Sequence, residues 1–227
     1  MRDVNIGFRR AGAALIFPAL ATLALWSASK PALADLENRE EARIRRGFQI
    51  APVPLRLAGK DPNLVGLGSY IVNAQASCND CHAPSPAAQY VPGGNPFFGQ
   101  HPEKTNPATY LAGGRSFGVL VPNAPEIVSR NLTPNGKGQT LGGDSFETFL
   151  ATMRTGADPD KAHPTCVAGS SGPCFPPPFD GALLQVMPWP VFQHMTTHEL
   201  RAVYEYLGAI PCVEGGPGQP AGRCNAQ

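Results

Sequence analysis

The chain has 227 residues, 42% hydrophobic and only 15% charged, with 25 Gly and 25 Pro. That is enough apolar material for one core, too little length for two large domains, and a loop-rich composition that stops short of disorder. A formal charge of +1 lacks the basic excess of a nucleic-acid binder, so no nucleic-acid partner is expected.

Residues 1–34 read as a secretory signal peptide. Arg2, Arg9 and Arg10 form a positive start, Ala11 to Trp26 is apolar, and Ala32-Leu33-Ala34 matches a small-x-small cleavage site. The apolar stretch is short for a membrane span, so none is expected after cleavage. Ala-Gly-Ala-Ala after Arg9-Arg10 favours the general secretory route over a twin-arginine one, and the periplasm is the expected compartment. Cleavage removes four basic residues and one acidic residue, leaving 14 against 16 and a formal charge of −2.

Residues 35–61 form an N-terminal arm. Asp35 to Phe48 reads as a short charged helix, which Ala51-Pro52-Val53-Pro54 cannot continue because proline breaks helical bonding. A second helix is predicted from about Pro62 to Ser77, with Leu64, Leu67, Tyr70 and Ile71 at helical spacing on its buried face and Gly66 as a place for another helix to approach closely.

That helix leads into Cys78-Asn79-Asp80-Cys81-His82, the attachment signature of c-type haem. Two residues between the cysteines let both sulfurs reach the haem vinyl groups while His82 Nε2 points at the iron. A zinc knuckle needs a second ligand pair of similar spacing, which Cys166 and Cys174 do not supply. A thioredoxin-type redox pair needs a βαβ context that the flanks lack. Cys78 and Cys81 are therefore read as covalent haem sites and His82 as an axial ligand, its Nδ1–H given to a backbone carbonyl, with that of Pro84 a candidate. One haem c is expected, because the motif occurs once.

His82 to Thr140 is turn-rich, and loops of this length in a domain are usually functional. Asp144 to Arg154 is a predicted helix, with Asp144 and Glu147 as an acidic capping box, Gly156 at its end, and Phe146, Phe149, Leu150 and Met153 on one face. The last helix spans about Thr197 to Ile210. It opens with Thr196-Thr197-His198-Glu199, a capping box, with Met195 and Leu200 as a hydrophobic staple, and Pro211 stops it.

The four remaining cysteines allow three pairings. Proximity in sequence favours Cys166–Cys174 and Cys212–Cys224, each closing a floppy Gly/Pro-rich loop that gains from a covalent clip. For the sixth iron ligand, Met153 is assigned to a core face and Met195 to the staple. Met187 lies in Val186-Met187-Pro188-Trp189-Pro190, where the prolines stiffen an open segment, and is the expected iron ligand opposite His82. His163, His194 and His198 are the rivals for a bis-histidine iron.

The order Gly66-x-x-x-Tyr70, Cys78-x-x-Cys81-His82, Met187-Pro188-Trp189, then Leu200-Arg-Ala-Val-Tyr-Glu-Tyr-Leu207 resembles class I cytochromes c. Leu111 to Gly118, Asn131-Leu132-Thr133-Pro134, and Met187-Pro188-Trp189 followed by His194-Met195-Thr196 are similar to haem domains in the cytochrome subunits of periplasmic alcohol, aldehyde and gluconate dehydrogenases. The resemblance implies an all-α fold with long haem-wrapping loops and a haem domain over residues 62–211; the Cys166–Cys174 loop departs from it as a disulfide-clipped insertion, and residues 212–227 are read as a disulfide-clipped tail. It implies His82 and Met187 as axial ligands, and a crossing of first and last helices that pairs Gly66 and Tyr70 with Val203 and Tyr206. Arg115 and Asn131 are candidates for a haem propionate. The expected function is one-electron transfer without a chemical conversion. A periplasmic dehydrogenase is the expected donor and an oxidase or reductase the acceptor. A peroxidase-like haem enzyme or a redox or gas sensor would instead need an open iron position.

Overall fold

Proline and glycine set the limits of most helices in this chain. The computed structural model describes the backbone of residues 19–225 and the side chains from residue 35. The chain divides between Arg39 and Glu40 into two units. Of the expected signal peptide, residues 1–18 lie outside the described residues, and Ala32-Leu33-Ala34 falls within the first helix, α1 (Ala19–Ile50). No described helix is long and apolar enough to cross a membrane.

In the second unit, α1 stops at Ile50, before Pro52 and Pro54. The following arm buries Val53 and donates the Arg56 N–H to the Ala209 carbonyl at 2.8 Å. Asp61 then caps α2 (Pro62–Tyr70), accepting the Asn63 N–H at 2.8 Å with proline in the first helical position. Beyond Tyr70 the helix widens for one turn, Ile71–Gln75, closed by the Ala76 N–H to the Ile71 carbonyl at 2.8 Å. Ser77, at φ 47°, breaks the path, and α3 (Cys78–His82) follows.

The remaining helices are α4 (Phe146–Thr155), α5 (Trp189–Phe192) and α6 (Thr197–Ala209). Ser145 caps α4, accepting the Thr148 N–H at 3.2 Å, so the cap lies one residue after the expected Asp144. Phe146, Phe149 and Met153 are buried, as their spacing implies, and Leu150 is partly so. Thr196 and Glu199 form the reciprocal box expected for α6.

The chain is not the all-α protein that the resemblance implied. The described helices account for 37% of it, and most of the other described residues are irregular. The stretch after α3 contains an antiparallel pair, β1 (Ser116–Val119) and β2 (Glu126–Val128), with Ser116 opposite Val128. Isolated bridges join Ala157 to Leu183 and Thr165 to Phe175. The physical cause is compositional: Gly and Pro, which interrupt helices, are concentrated between residues 84 and 190.

The core forms where α2 is packed on two sides. Gly66 and Gly68 are two residues apart, about 200° around a helix, so they face opposite ways. A Cβ on Gly66 would lie 2.7 Å from Ile44 Cγ2 and Phe48 Cε2 of α1. A Cβ on Gly68 would collide with the Ala202 carbonyl of α6. The contact with the last helix is therefore made by Gly68, with Ala202 and Tyr206, and Gly66 serves the crossing with α1. Val65, Leu67, Ile71 and Val72 complete the buried face against Leu200, Val203 and Leu207. Burial of each such large side chain contributes about 1.5–3 kcal/mol.

Candidate functional site

Cys78 and Cys81 sit on the single turn of α3, one half-buried and one exposed, and both are free thiols. The other four cysteines are paired as Cys166–Cys174 and Cys212–Cys224, with Cα separations of 5.0 and 5.7 Å. Burial, reinforced by the neighbouring Cys81, pushes the Cys78 thiol up to about 12.

His82 closes the turn. Its Nδ1 lies 2.7 Å from the Arg130 carbonyl. A carbonyl only accepts, so Nδ1 carries the hydrogen and Nε2 is left with the lone pair. The acceptor expected at Pro84 is thus at Arg130, 48 residues along the chain. Burial lowers the His82 pKa; the carbonyl bond opposes that and the Arg130 charge adds to it. The ring is a neutral imidazole near pH 7, the form that ligates iron.

Several loop residues hold this turn in place. Asn79 Oδ1 accepts the Leu111 N–H at 2.9 Å, and the His82 carbonyl accepts the Gly113 N–H at 2.7 Å. Ser77 and Leu111 are both non-glycine residues at positive φ, 47° and 56°. Such strain concentrates where a site is over-determined by its surroundings, as does the wide helical turn just before α3. Asn73 of that turn, Tyr110 and Tyr206 of α6 form a closed ring: Asn73 Nδ2 donates to Tyr206 Oη at 3.2 Å, the two phenols lie 2.8 Å apart, and Tyr110 Oη donates to Asn73 Oδ1 at 2.6 Å.

The Arg115 guanidinium bonds to the Asp80 carbonyl of α3 and lies over the Phe117 ring. Asn131 is buried with both ends of its side chain engaged. Its Nδ2 donates to the Val213 carbonyl at 2.9 Å, and its Oδ1 accepts the Thr133 N–H at 2.8 Å and the Thr133 hydroxyl at 2.7 Å. It organises the loop between Asn131 and Val213. The Arg130 guanidinium pairs with the buried Asp158 and with Asp160.

Met187 is half-buried and packs on the margin of the same core cluster as Cys78. Its loop is held at both ends. Leu184 N–H reaches the Gly156 carbonyl at 2.8 Å, and the Trp189 indole N–H folds back to the Leu184 carbonyl at 3.1 Å. That indole lies against Gly156, at φ 73°, where any Cβ would collide with the ring. The Arg154 guanidinium holds the Gln193 and Met195 carbonyls beyond it.

The rival ligands are engaged elsewhere or face water. His198 Nε2 lies 3.2 Å from Glu40 Oε1, His163 Nδ1 lies 3.6 Å from Asp158 Oδ2, and His194 is exposed. Met153 is core. The structure thus brings Cys78, Cys81 and His82 together on one turn and sets Met187 on a separate braced loop. Among the described residues no three His, Cys, Asp or Glu side chains gather as a metal-ion site. Compared with protein-family models, curated proteins and solved structures, the chain matches none.

The residues present fit a covalent haem. The two thiols are free in a chain whose other cysteines are oxidised to disulfides, and the adjoining imidazole has its Nδ1 committed and its Nε2 available. Asn73, Asn79, Tyr110 and Arg130 escaped the sequence reading. Asn79, which lies inside the motif, was the one position with a visible signal.

Proposed function

We propose that this protein is a one-electron carrier of the periplasm, holding a single haem c. The observation that carries the reading is the pair of free thiols on α3 beside a histidine whose ring is fixed by a main-chain carbonyl. The bound haem would supply an iron couple that gains and loses one electron. Cys78 and Cys81 hold the group through thioethers, and His82 presents Nε2. Met187 offers a thioether from a loop already fixed by Trp189, so little conformational freedom is lost on ligation. A methionine ligand favours the ferrous state and closes the iron to small substrates, which suits transfer over catalysis. The disulfides are compatible with an oxidising compartment. The proposed donor is a periplasmic dehydrogenase and the proposed acceptor an oxidase or reductase.

The test is the optical spectrum of the purified protein, oxidised and reduced, with and without carbon monoxide. A low-spin ferrous spectrum unmoved by carbon monoxide supports a closed carrier, and Met187→Ala should then open the site. Ready binding by the parent protein would replace this reading with an enzyme or sensor.

A further inference from the structure

The disulfide-clipped tail reaches back to the histidine turn. Gly216 donates its N–H to the Ala112 carbonyl at 3.3 Å, and the Gln219 N–H closes a turn on the Gly216 carbonyl at 3.1 Å. Glu214 ties the two arms of the tail, accepting the Gly222 N–H at 3.1 Å and the Cys224 N–H at 2.9 Å. From this frame the Gln219 amide spans Arg130. Its Nε2 donates to the Ser129 carbonyl at 3.0 Å, and its Oε1 accepts the Asn131 N–H at 3.0 Å.

The Asn131 N–H and the Arg130 C=O belong to one planar peptide unit and point in opposite directions. A continuous chain of hydrogen bonds therefore runs from Gln219 Oε1 through that peptide to His82 Nδ1. The Ser129 bond fixes which end of the Gln219 amide faces Asn131. Accepting from the N–H polarises the carbonyl on the far side and makes it a better acceptor. A better acceptor also raises the electron density of the imidazole and so its strength as a ligand.

We propose that Gln219 is a positioning residue for His82, through which the Cys212–Cys224 tail sets the orientation and basicity of the ring. Its consequence for the iron rests on the haem reading; its action on the ring does not. Gln219 touches neither His82 nor any ligand position directly and acts only through the Arg130 peptide.

The test compares the full-length exported protein with Gln219→Ala and Gln219→Glu. The first removes both bonds; the second keeps an acceptor for the Asn131 N–H. Solvent exchange of the His82 Nδ1 proton is read by nuclear magnetic resonance, alongside the reduction potential and the mass of the Cys78–Cys81 peptide. Loss of the bond should speed exchange by about tenfold in Gln219→Ala and move the potential to more positive values. Gln219→Glu should stay within about threefold of the parent. Unchanged exchange in Gln219→Ala would overturn the proposal, as would equal acceleration in both variants, which would mark general loosening. Unmodified thiols in the parent would overturn the haem reading alone, and the ring-proton comparison would still decide the role of Gln219.

Discussion

Tyr206→Phe tests whether the polar ring beside α3 acts as a unit. Tyr206 and Tyr110 are 0% and 1% exposed, so neither phenol exchanges its partners for water. In the ring each member gives one hydrogen bond and takes one: Asn73 to Tyr206, Tyr206 to Tyr110, Tyr110 to Asn73. Removing the Tyr206 hydroxyl deletes two of these bonds and leaves the Tyr110 oxygen without its donor. A net bond is worth about 1 kcal/mol and a stranded buried group costs about 1–3 kcal/mol, so the variant should lose about 2–3 kcal/mol. Tyr110→Phe should cost a similar amount. The double variant leaves only the half-buried Asn73 to find water, so it should fall short of the sum by about 1–2 kcal/mol. Urea unfolding of the four proteins in the cycle gives that coupling directly. A coupling below about 0.5 kcal/mol would show three independent side chains and refute the ring.

The same phenols carry a pH signature. Burial, first of all, raises both tyrosine pKa values, that of Tyr110 well above its ordinary value. The folded state therefore holds protons that the unfolded chain gives up, and stability, level below about pH 10, should fall above it; Tyr110→Phe should flatten that fall in urea titrations. Gly156→Ala forces a Cβ into the Trp189 indole at a positive φ, which should cost at least about 2 kcal/mol in unfolding. In the haem-loaded protein it should also weaken the methionine-to-iron absorption band. Replacing Cys212 and Cys224 together by serine opens a loop of sequence separation 12, and should cost about 3 kcal/mol in the loop-entropy account, read as a lower urea midpoint.

Legibility in the sequence followed the range of the interaction. The box at Thr196 and Glu199 is three residues wide, and the structure has it as read. Both disulfides join near neighbours, with separations of 8 and 12, and both were legible. The Cys-x-x-Cys-His turn is equally local. The partner of His82 is 48 residues away, and the two phenols are 96 apart. Nothing in the local pattern marks Arg130, because it is the main-chain carbonyl that acts, and every residue has one. Gly66 was legible as a close-approach point but was given the wrong helix, because the resemblance paired it with the last helix and not with the charged helix of the arm. The all-α expectation failed in the segment where the resemblance was carried by glycine-rich motifs. Those favour turns, and β1, which begins inside the Leu111 to Gly118 motif, pairs with β2.

The measurement that bears most directly on the account is the mass of the peptide containing Cys78 and Cys81, from protein exported by a host with haem-attachment machinery. The account predicts one haem bound through both sulfurs, with Cys166–Cys174 and Cys212–Cys224 intact in the same sample. Recovery of the peptide with two unmodified thiols, or with a Cys78–Cys81 disulfide, would contradict it.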